Sequence, residues 1–435
     1  MSISPGGTIN PSDSITAKRG STEPAIPDAR RRSILVLLFT AAVINYFDRG
    51  TISVALPLIA HDLRFGAEHK GVLLSAFFWS YSLLQVPVGW ATDRFNLRWF
   101  FSIMFLLWIL AEGLTGLATG LGMLIIFRIF LGIGESIYMP AGIKVVSLLF
   151  RPAERGSATG FFHCGSFLGL VIGAPLTALL IGRYGWHYMF PIVGLAALPW
   201  LVAWLAAFPS RLSSHDSATA VELRAQRRKA RGITFDRNLA GICIGQFTSG
   251  YFWYLLVTWL PDYLVTARHL PLLTAGMYAS LPYLIFAVTE PLGGWFADKL
   301  IRRGYSETTV RKTIVSLASL FGLLLIPAAR VGSASTAIWL IAGATLVGLS
   351  WAQNWVFPQC CAPKDQVGAW SGLGNFLATI AGAVAPLVTG FLVARTNSYT
   401  PAFTLGALIL VAGAFSYWFV LGELKPLPRP ETRGA

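Results

Sequence analysis

Four ionisable side chains stand where apolar helices tolerate them least. Asp48 and Arg49 sit midway along one apolar stretch, and Arg128 and Glu135 sit in another. A charged side chain at bilayer depth costs at least ~2.5–3.5 kcal/mol, so such residues face a cavity or one another and mark a function. Neighbours on a helix point about 100° apart. Asp48 and Arg49 therefore cannot both look straight into one pocket; one is expected to meet a solute path while the other reaches a neighbouring helix. Arg128 and Glu135 are separated by about two turns, or ~10 Å along one face. That is too far for a direct pair, but it lets Arg128 hold an anion while Glu135 lies deeper. Gly132 and Gly134 between them remove bulk. A carboxylate solute needs a fixed cation, and the planar fork of Arg binds it bidentately and stays protonated. Proton exchange needs a group that can change charge, and burial disfavours the charged form of a carboxylate. Two acids and two arginines meet both needs; a purely structural pair of ion pairs is the alternative.

Around this centre lie polar side chains able to hydrogen-bond a hydroxylated solute. Tyr46, Tyr81 and Gln85 belong to the first two apolar stretches, with Tyr81 and Gln85 sharing a face at i, i+4. Tyr251, Tyr254, Asn354 and Asn375 come from later ones. His163 is read as polar packing near the pocket, Glu112 and Glu290 as structural or water-facing, and Lys144 as snorkelling to the inner surface. Gly165, Gly169 and Gly173 form a stripe at four-residue spacing that lets helices approach closely.

The elements that must position these residues follow from composition. Of 435 residues, 54% are hydrophobic and 12% charged, against about 25% charged in soluble domains. Apolar stretches predict membrane helices over 33–60, 71–91, 98–119, 121–148, 157–181, 187–208, 239–264, 273–297, 312–329, 336–360, 367–394 and 400–421. Helices are required because backbone groups in lipid must be satisfied within the segment. The expected organisation is a disordered tail 1–32, a six-helix bundle 33–208, a linker 209–238, a second bundle 239–421 and a tail 422–435. The linker carries the run Arg224, Arg227, Arg228, Lys229 and Arg231.

The net charge of +14 is topological. Most Lys and Arg fall in the tails and even-numbered connections, while the odd-numbered ones receive only Arg64, Lys70, Arg183, Arg268, Arg330 and Arg395. Positive charge marks the inside, so both termini are predicted to be cytoplasmic and a nucleic-acid surface is excluded. Cys164, Cys243, Cys360 and Cys361 lack zinc-ligand spacing and read as packing residues. No nucleotide loop, metal cluster or hydrolase elbow appears, so the chain is not read as an enzyme, and neither cofactor nor metal is implied.

The two halves repeat. Pro87-Val88-Gly89-Trp90-Ala91-Thr92-Asp93-Arg94 ends the second helix, and Pro291-Leu292-Gly293-Gly294-Trp295-Phe296-Ala297-Asp298-Lys299 ends the eighth. Internal repeats characterise secondary transporters, with the site near the midplane between them. The segment Gly89 to Arg98 resembles the loop 2–3 signature of the major facilitator superfamily, and Arg128-Ile129-Phe130-Leu131-Gly132-Ile133-Gly134-Glu135 resembles its helix-four motif. Asn45-Tyr46-Phe47-Asp48-Arg49, Thr258-Trp259-Leu260-Pro261-Asp262-Tyr263-Leu264 and Gly372-Leu373-Gly374-Asn375-Phe376 together look like the anion:cation symporter family, in its bacterial sugar-acid branch. Thr379 and the Gly185-Trp186-His187 segment depart from that branch's pattern.

The resemblance implies an all-α fold of twelve membrane helices in two halves, in a bacterial inner membrane, importing a sugar acid with protons by alternating access. It implies proton coupling at Asp48 and Glu135, with Arg128 tied to coupling and the anion. Arg49, Tyr46, Tyr81, Gln85, Asn354 and Asn375 complete the expected substrate site, and Asp93, Arg94 and Arg98 form the gating motif. The expected partners are a small organic anion, protons and the bilayer, and a monomer suffices. A carrier of an aromatic carboxylate or dicarboxylate on the same fold, or a non-transporting anion sensor, are the alternatives.

Overall fold

A computed structural model describes residues 27–151, 154–209, 233–363 and 366–425. The expected linker charge run and most of both tails lie outside them. Among the described residues all regular structure is helical, in twelve membrane-length elements. They are α1 (Asp28–Asp62), α2 (Ala67–Thr92), α3 (Leu97–Leu117), α4 (Leu121–Leu149), α5 (Arg155–Tyr184) and α6 (Trp186–Ala207) in the first half. The second half has α7 (Arg237–Thr266), α8 (Leu272–Arg302), α9 (Glu307–Arg330), α10 (Ala334–Cys361), α11 (Val367–Thr396) and α12 (Thr400–Phe419). Eleven of them are apolar and long enough to cross a bilayer; α7 has the length but carries Asn238, Gln246, Ser249 and Asp262 in its buried surface.

The helix bounds show where local chemistry overrides hydropathy. α4 breaks after Glu135 and resumes at Tyr138, because Pro140 has no N–H for the carbonyl of Ser136. α9 starts five residues earlier than hydropathy predicts: its first turns bury Arg311 and Lys312, which bond to Gln353 and to the Leu421 carbonyl. Gly185 ends α5 at φ 78°, a left-handed conformation that glycine adopts freely.

Small residues set how closely helices meet. The Gly165, Gly169 and Gly173 stripe lays α5 on α1, where added Cβ atoms would meet Phe39 O at 2.4 Å, Val43 O at 2.4 Å and Phe47 Cα at 3.4 Å. Gly132 and Gly134 do the same for α4 against α2 and α3.

The start of α1 bonds the end of α6, Arg30 to the Ala207 carbonyl, and the start of α7 bonds the end of α12, Arg237 to the Val420 carbonyl. The first and last helix ends therefore share one face, called here the terminal face. At the opposite face the halves are in backbone contact. A Cβ on Gly71 of α2 would meet the Pro386 carbonyl of α11 at 2.6 Å, and one on Gly276 of α8 would meet the Ala174 carbonyl of α5 at 2.8 Å. Four to six turns towards the terminal face, on the same stripes of α5 and α11, Gly160, Gly156, Gly372 and Gly368 have nothing within 4 Å. The seam is closed at one face and open at the other.

Candidate functional site

Arg49 reaches from α1 to α4, where its Nε donates to Glu135 Oε2 at 2.8 Å. Its guanidinium lies 4.3 Å from the ring centre of Tyr81, 4.9 Å from Tyr46 and 5.1 Å from Phe77, a cation resting on the negative faces of three aromatic systems. Nη2 of Arg49 and Oε1 of Glu135 are buried without a hydrogen-bond partner. Half of the fork and half of the carboxylate are thus uncommitted.

Asp48, one residue away, turns into the first half instead. Its Oδ2 accepts from Trp108 Nε1 of α3 at 2.7 Å, and its Oδ1 has no partner. Behind it, Arg128 donates from Nη2 to Glu112 Oε2 at 2.7 Å and to Thr115 Oγ1 at 3.3 Å, while Thr51 donates to Glu112 Oε1 at 2.7 Å. Glu112, expected to be structural or water-facing, is wholly buried as the partner of Arg128. The four expected ionisable residues and Glu112 form one centre with two ion pairs, one on the cavity and one behind it.

The cavity has a volume of about 70 Å³ and lies between the halves. The first half contributes Tyr46, Arg49, Tyr81, His163 and Ser166; the second contributes Gln246, Ser249, Asn354, Asn375 and Thr379 with an aromatic wall of Trp253, Phe286, Trp351 and Trp355. Of the expected substrate residues, Arg49, Tyr46, Tyr81, Asn354 and Asn375 line it. Asn354 accepts from Tyr417 and, through its carbonyl, from Gln246. Gln85 sits just outside and accepts from Asn375 Nδ2 at 3.2 Å, bridging the halves. Arg128 is not on the wall: it is 1% exposed and turned to Glu112. Tyr251 packs behind at 1% exposure, whereas Tyr254 lines the cavity.

The expected gating residues lie at the terminal face within the first half. Lys144 donates to Asp93 at 2.6 Å, Arg94 stacks on Trp90 at 3.5 Å, and the Arg98 guanidinium donates to the Leu205 carbonyl. The second half repeats this, with Arg311 bonding Asp298 at 3.2 Å and Lys299 over Trp295 at 4.6 Å. Lys144 therefore holds a carboxylate where snorkelling was expected.

Sequence reasoning missed the closure of the opposite face. Lys70 Nζ of α2 donates to Asp262 Oδ1 of α7 at 2.7 Å, and Tyr399 OH donates to the other carboxylate oxygen. Lys70 is 8% exposed and Asp262 fully buried. The signal was an acid ending an apolar run, but its partner lies 192 residues away. The aromatic wall was invisible for a different reason, since lipid-facing and cavity-facing Trp and Phe look alike in sequence.

Residues 38–386 match the family model described as Major Facilitator Superfamily. The D-galactonate transporter of Escherichia coli O6:H1 is 31% identical over 92% of this chain and 98% of its own length. The protein of Bacillus subtilis (strain 168) named "Probable galactarate/D-glucarate transporter GudP" is 29% identical over 90% of this chain and 92% of its own. In fold, the chain resembles the crystal structure of the D-xylose-proton symporter, with a TM-score of 0.74 at 15% identity over 91% of this chain and 98% of that one. It also resembles a bacterial homologue of the human lysosomal transporter Spinster in an inward-facing, occupied conformation, with a TM-score of 0.75 at 16% identity over 91% and 97%. The two six-helix halves, the buried charges at their seam and these likenesses converge: the chain is a membrane transporter belonging to the Major Facilitator Superfamily.

Proposed function

We propose that this protein imports an organic anion of the sugar-acid class together with protons, by alternating access. The observation that carries the reading is the ion pair between Arg49 on the cavity wall and the buried Glu135 behind it, 2.8 Å long and with one arm of each group uncommitted. A substrate carboxylate and the Glu135 carboxylate compete for one guanidinium. In a low-dielectric site a carboxylate that loses its cation takes up a proton, so anion binding to Arg49 draws a proton onto Glu135. The loaded centre then has the same net charge as the empty one and can reorient. Asp48 is the second proton carrier in this reading, held by Trp108 beside the Arg128–Glu112 pair. Arg128 supports coupling by fixing the charge balance behind Asp48. Tyr46, Tyr81, Asn354 and Asn375 offer hydroxyl and amide groups to a polyhydroxylated chain, as the names of the galactonate and glucarate relatives invite.

With the termini cytoplasmic, a placement that the charge distribution supports, the closed face is the outer one and the open seam leads to the cell interior. Placement in the bacterial inner membrane and function as a monomer belong to the same reading. Asp93, Arg94 and Arg98 act at the inner gate when the seam closes there.

The aromatic wall of Trp253, Phe286, Trp351 and Trp355 favours a second reading, an aromatic monocarboxylate in the same place. Counterflow in proteoliposomes tests both, with D-galactonate, D-glucuronate and benzoate as substrates. Glu135→Gln is expected to retain exchange and lose accumulation driven by an imposed pH gradient; unchanged accumulation would remove Glu135 from coupling.

A further inference from the structure

We infer that the cavity selects singly charged carboxylates and excludes dianions, whichever carbon skeleton it accepts; the inference rests on the reading of this cavity as the substrate site. The relatives divide on this point, one named for an aldonate and another for aldarates, so kinship leaves it open. The lining decides it. Among the described residues, Arg49 is the only Lys, Arg, Asp or Glu on the cavity wall. Everything contributed by the second half is neutral: amides, hydroxyls and the aromatic wall, with Trp253 and Phe286 centred 4.4 Å apart and Phe286 and Trp351 5.0 Å apart.

Charge balance gives the rest. The pair that the substrate enters is itself neutral, Arg49 against Glu135, while the other nearby acids, Asp48 and Glu290, each keep a buried oxygen without a partner. One substrate carboxylate with one proton on Glu135 restores neutrality. A second carboxylate would leave an extra negative charge between the halves, facing rings whose π faces are themselves negative. No cation on the wall could receive it. Arg128 cannot, because it is turned away and paired with Glu112, and Lys70 is held at the opposite face by Asp262. His163 is the one neutral lining side chain that could become cationic; it packs edge-on to Phe167 at 5.8 Å, and among the described residues no carboxylate shares the wall with it. A buried unpaired charge is disfavoured by several kcal/mol, which corresponds to discrimination of about a hundredfold or more.

The test is competition for counterflow by the full-length protein in proteoliposomes at pH 7, where every ligand is ionised. The competitors are D-galactonate, D-glucuronate and benzoate against galactarate, D-glucarate and phthalate. The monocarboxylates should compete at least about a hundredfold better than the dicarboxylate of the same skeleton. Thr379→Lys and His163→Lys each place a cation on the wall, and either folded variant should narrow that ratio by at least about tenfold. Equal competition by both classes in the wild type, with Arg49→Gln abolishing it, would overturn the charge selection while leaving the site intact. Competition that survives Arg49→Gln would overturn the site reading and the inference together.

Discussion

A guanidinium cradled by three aromatic rings keeps its position when its carboxylate partner is neutralised. Tyr46, Phe77 and Tyr81 supply that cradle for Arg49, so protonation of Glu135 would free the fork without releasing the side chain. Lys cannot stack or bind bidentately in the same way. Arg49→Lys should therefore weaken substrate binding by about tenfold or more, read as the concentration giving half-maximal counterflow; an unchanged value would mean that Arg49 does not hold the anion. Trp108→Phe removes the hydrogen bond to the Asp48 carboxylate. It should alter the pH dependence of uptake while leaving exchange at fixed pH nearly intact. At this scale the sequence announced the unusual residue types well: Asp48, Arg49, Arg128 and Glu135 all enter the centre because charges in apolar helices are costly. It did not announce pairing. Arg128, with Arg49, was an expected anion ligand, yet Glu112 lies 2.7 Å from it, and nothing in the one-dimensional pattern tells a substrate-facing arginine from one neutralised by the next helix.

Helix packing in this protein is limited by backbone contact, and the limiting positions are glycines. On Gly293 of α8 an added Cβ would fall 1.9 Å from the Leu349 carbonyl of α10. Gly293→Ala should therefore displace one helix from the other and destabilise the second half by roughly 1–3 kcal/mol, visible as a lowered thermal transition in detergent. Gly160→Ala, with nothing within 4 Å, should leave that transition unchanged; equal losses in both would contradict the packing described. The helices themselves were readable from hydropathy to within a few residues at most ends. Two of the exceptions have local causes. Pro140 breaks α4, and α9 is extended by buried cations bonded to Gln353 and the Leu421 carbonyl, contacts that only the fold supplies.

For the molecule as a whole, the question is what holds the opposite face shut. Lys70, Asp262 and Tyr399 join α2 to α7 and to the residue preceding α12 in a site where Asp262 has no solvent exposure. Removing one partner of a buried pair costs about 3–5 kcal/mol, enough to move a two-state transporter towards the state in which the pair is parted. Lys70→Met should therefore raise labelling of a cysteine at Ser75, now buried against the Ala383 carbonyl, by a membrane-impermeant maleimide in a variant lacking the four native cysteines. Unaltered labelling would show that the ion pair does not hold the seam. The repeat of Pro, Gly, Trp and Asp made the two halves visible in sequence. The latch was not visible, because its members are separated by most of the chain and each is ordinary alone.

If a substrate carboxylate displaces Glu135 from the Arg49 guanidinium and a proton replaces that cation on Glu135, binding must consume protons. The most direct measurement is proton uptake by the purified protein, followed with a pH indicator in weakly buffered solution, when D-galactonate, D-glucuronate or benzoate is added. Net proton uptake is expected on binding, reduced or lost in Glu135→Gln while binding itself persists. Binding with no proton uptake, or uptake unchanged in Glu135→Gln, would contradict it.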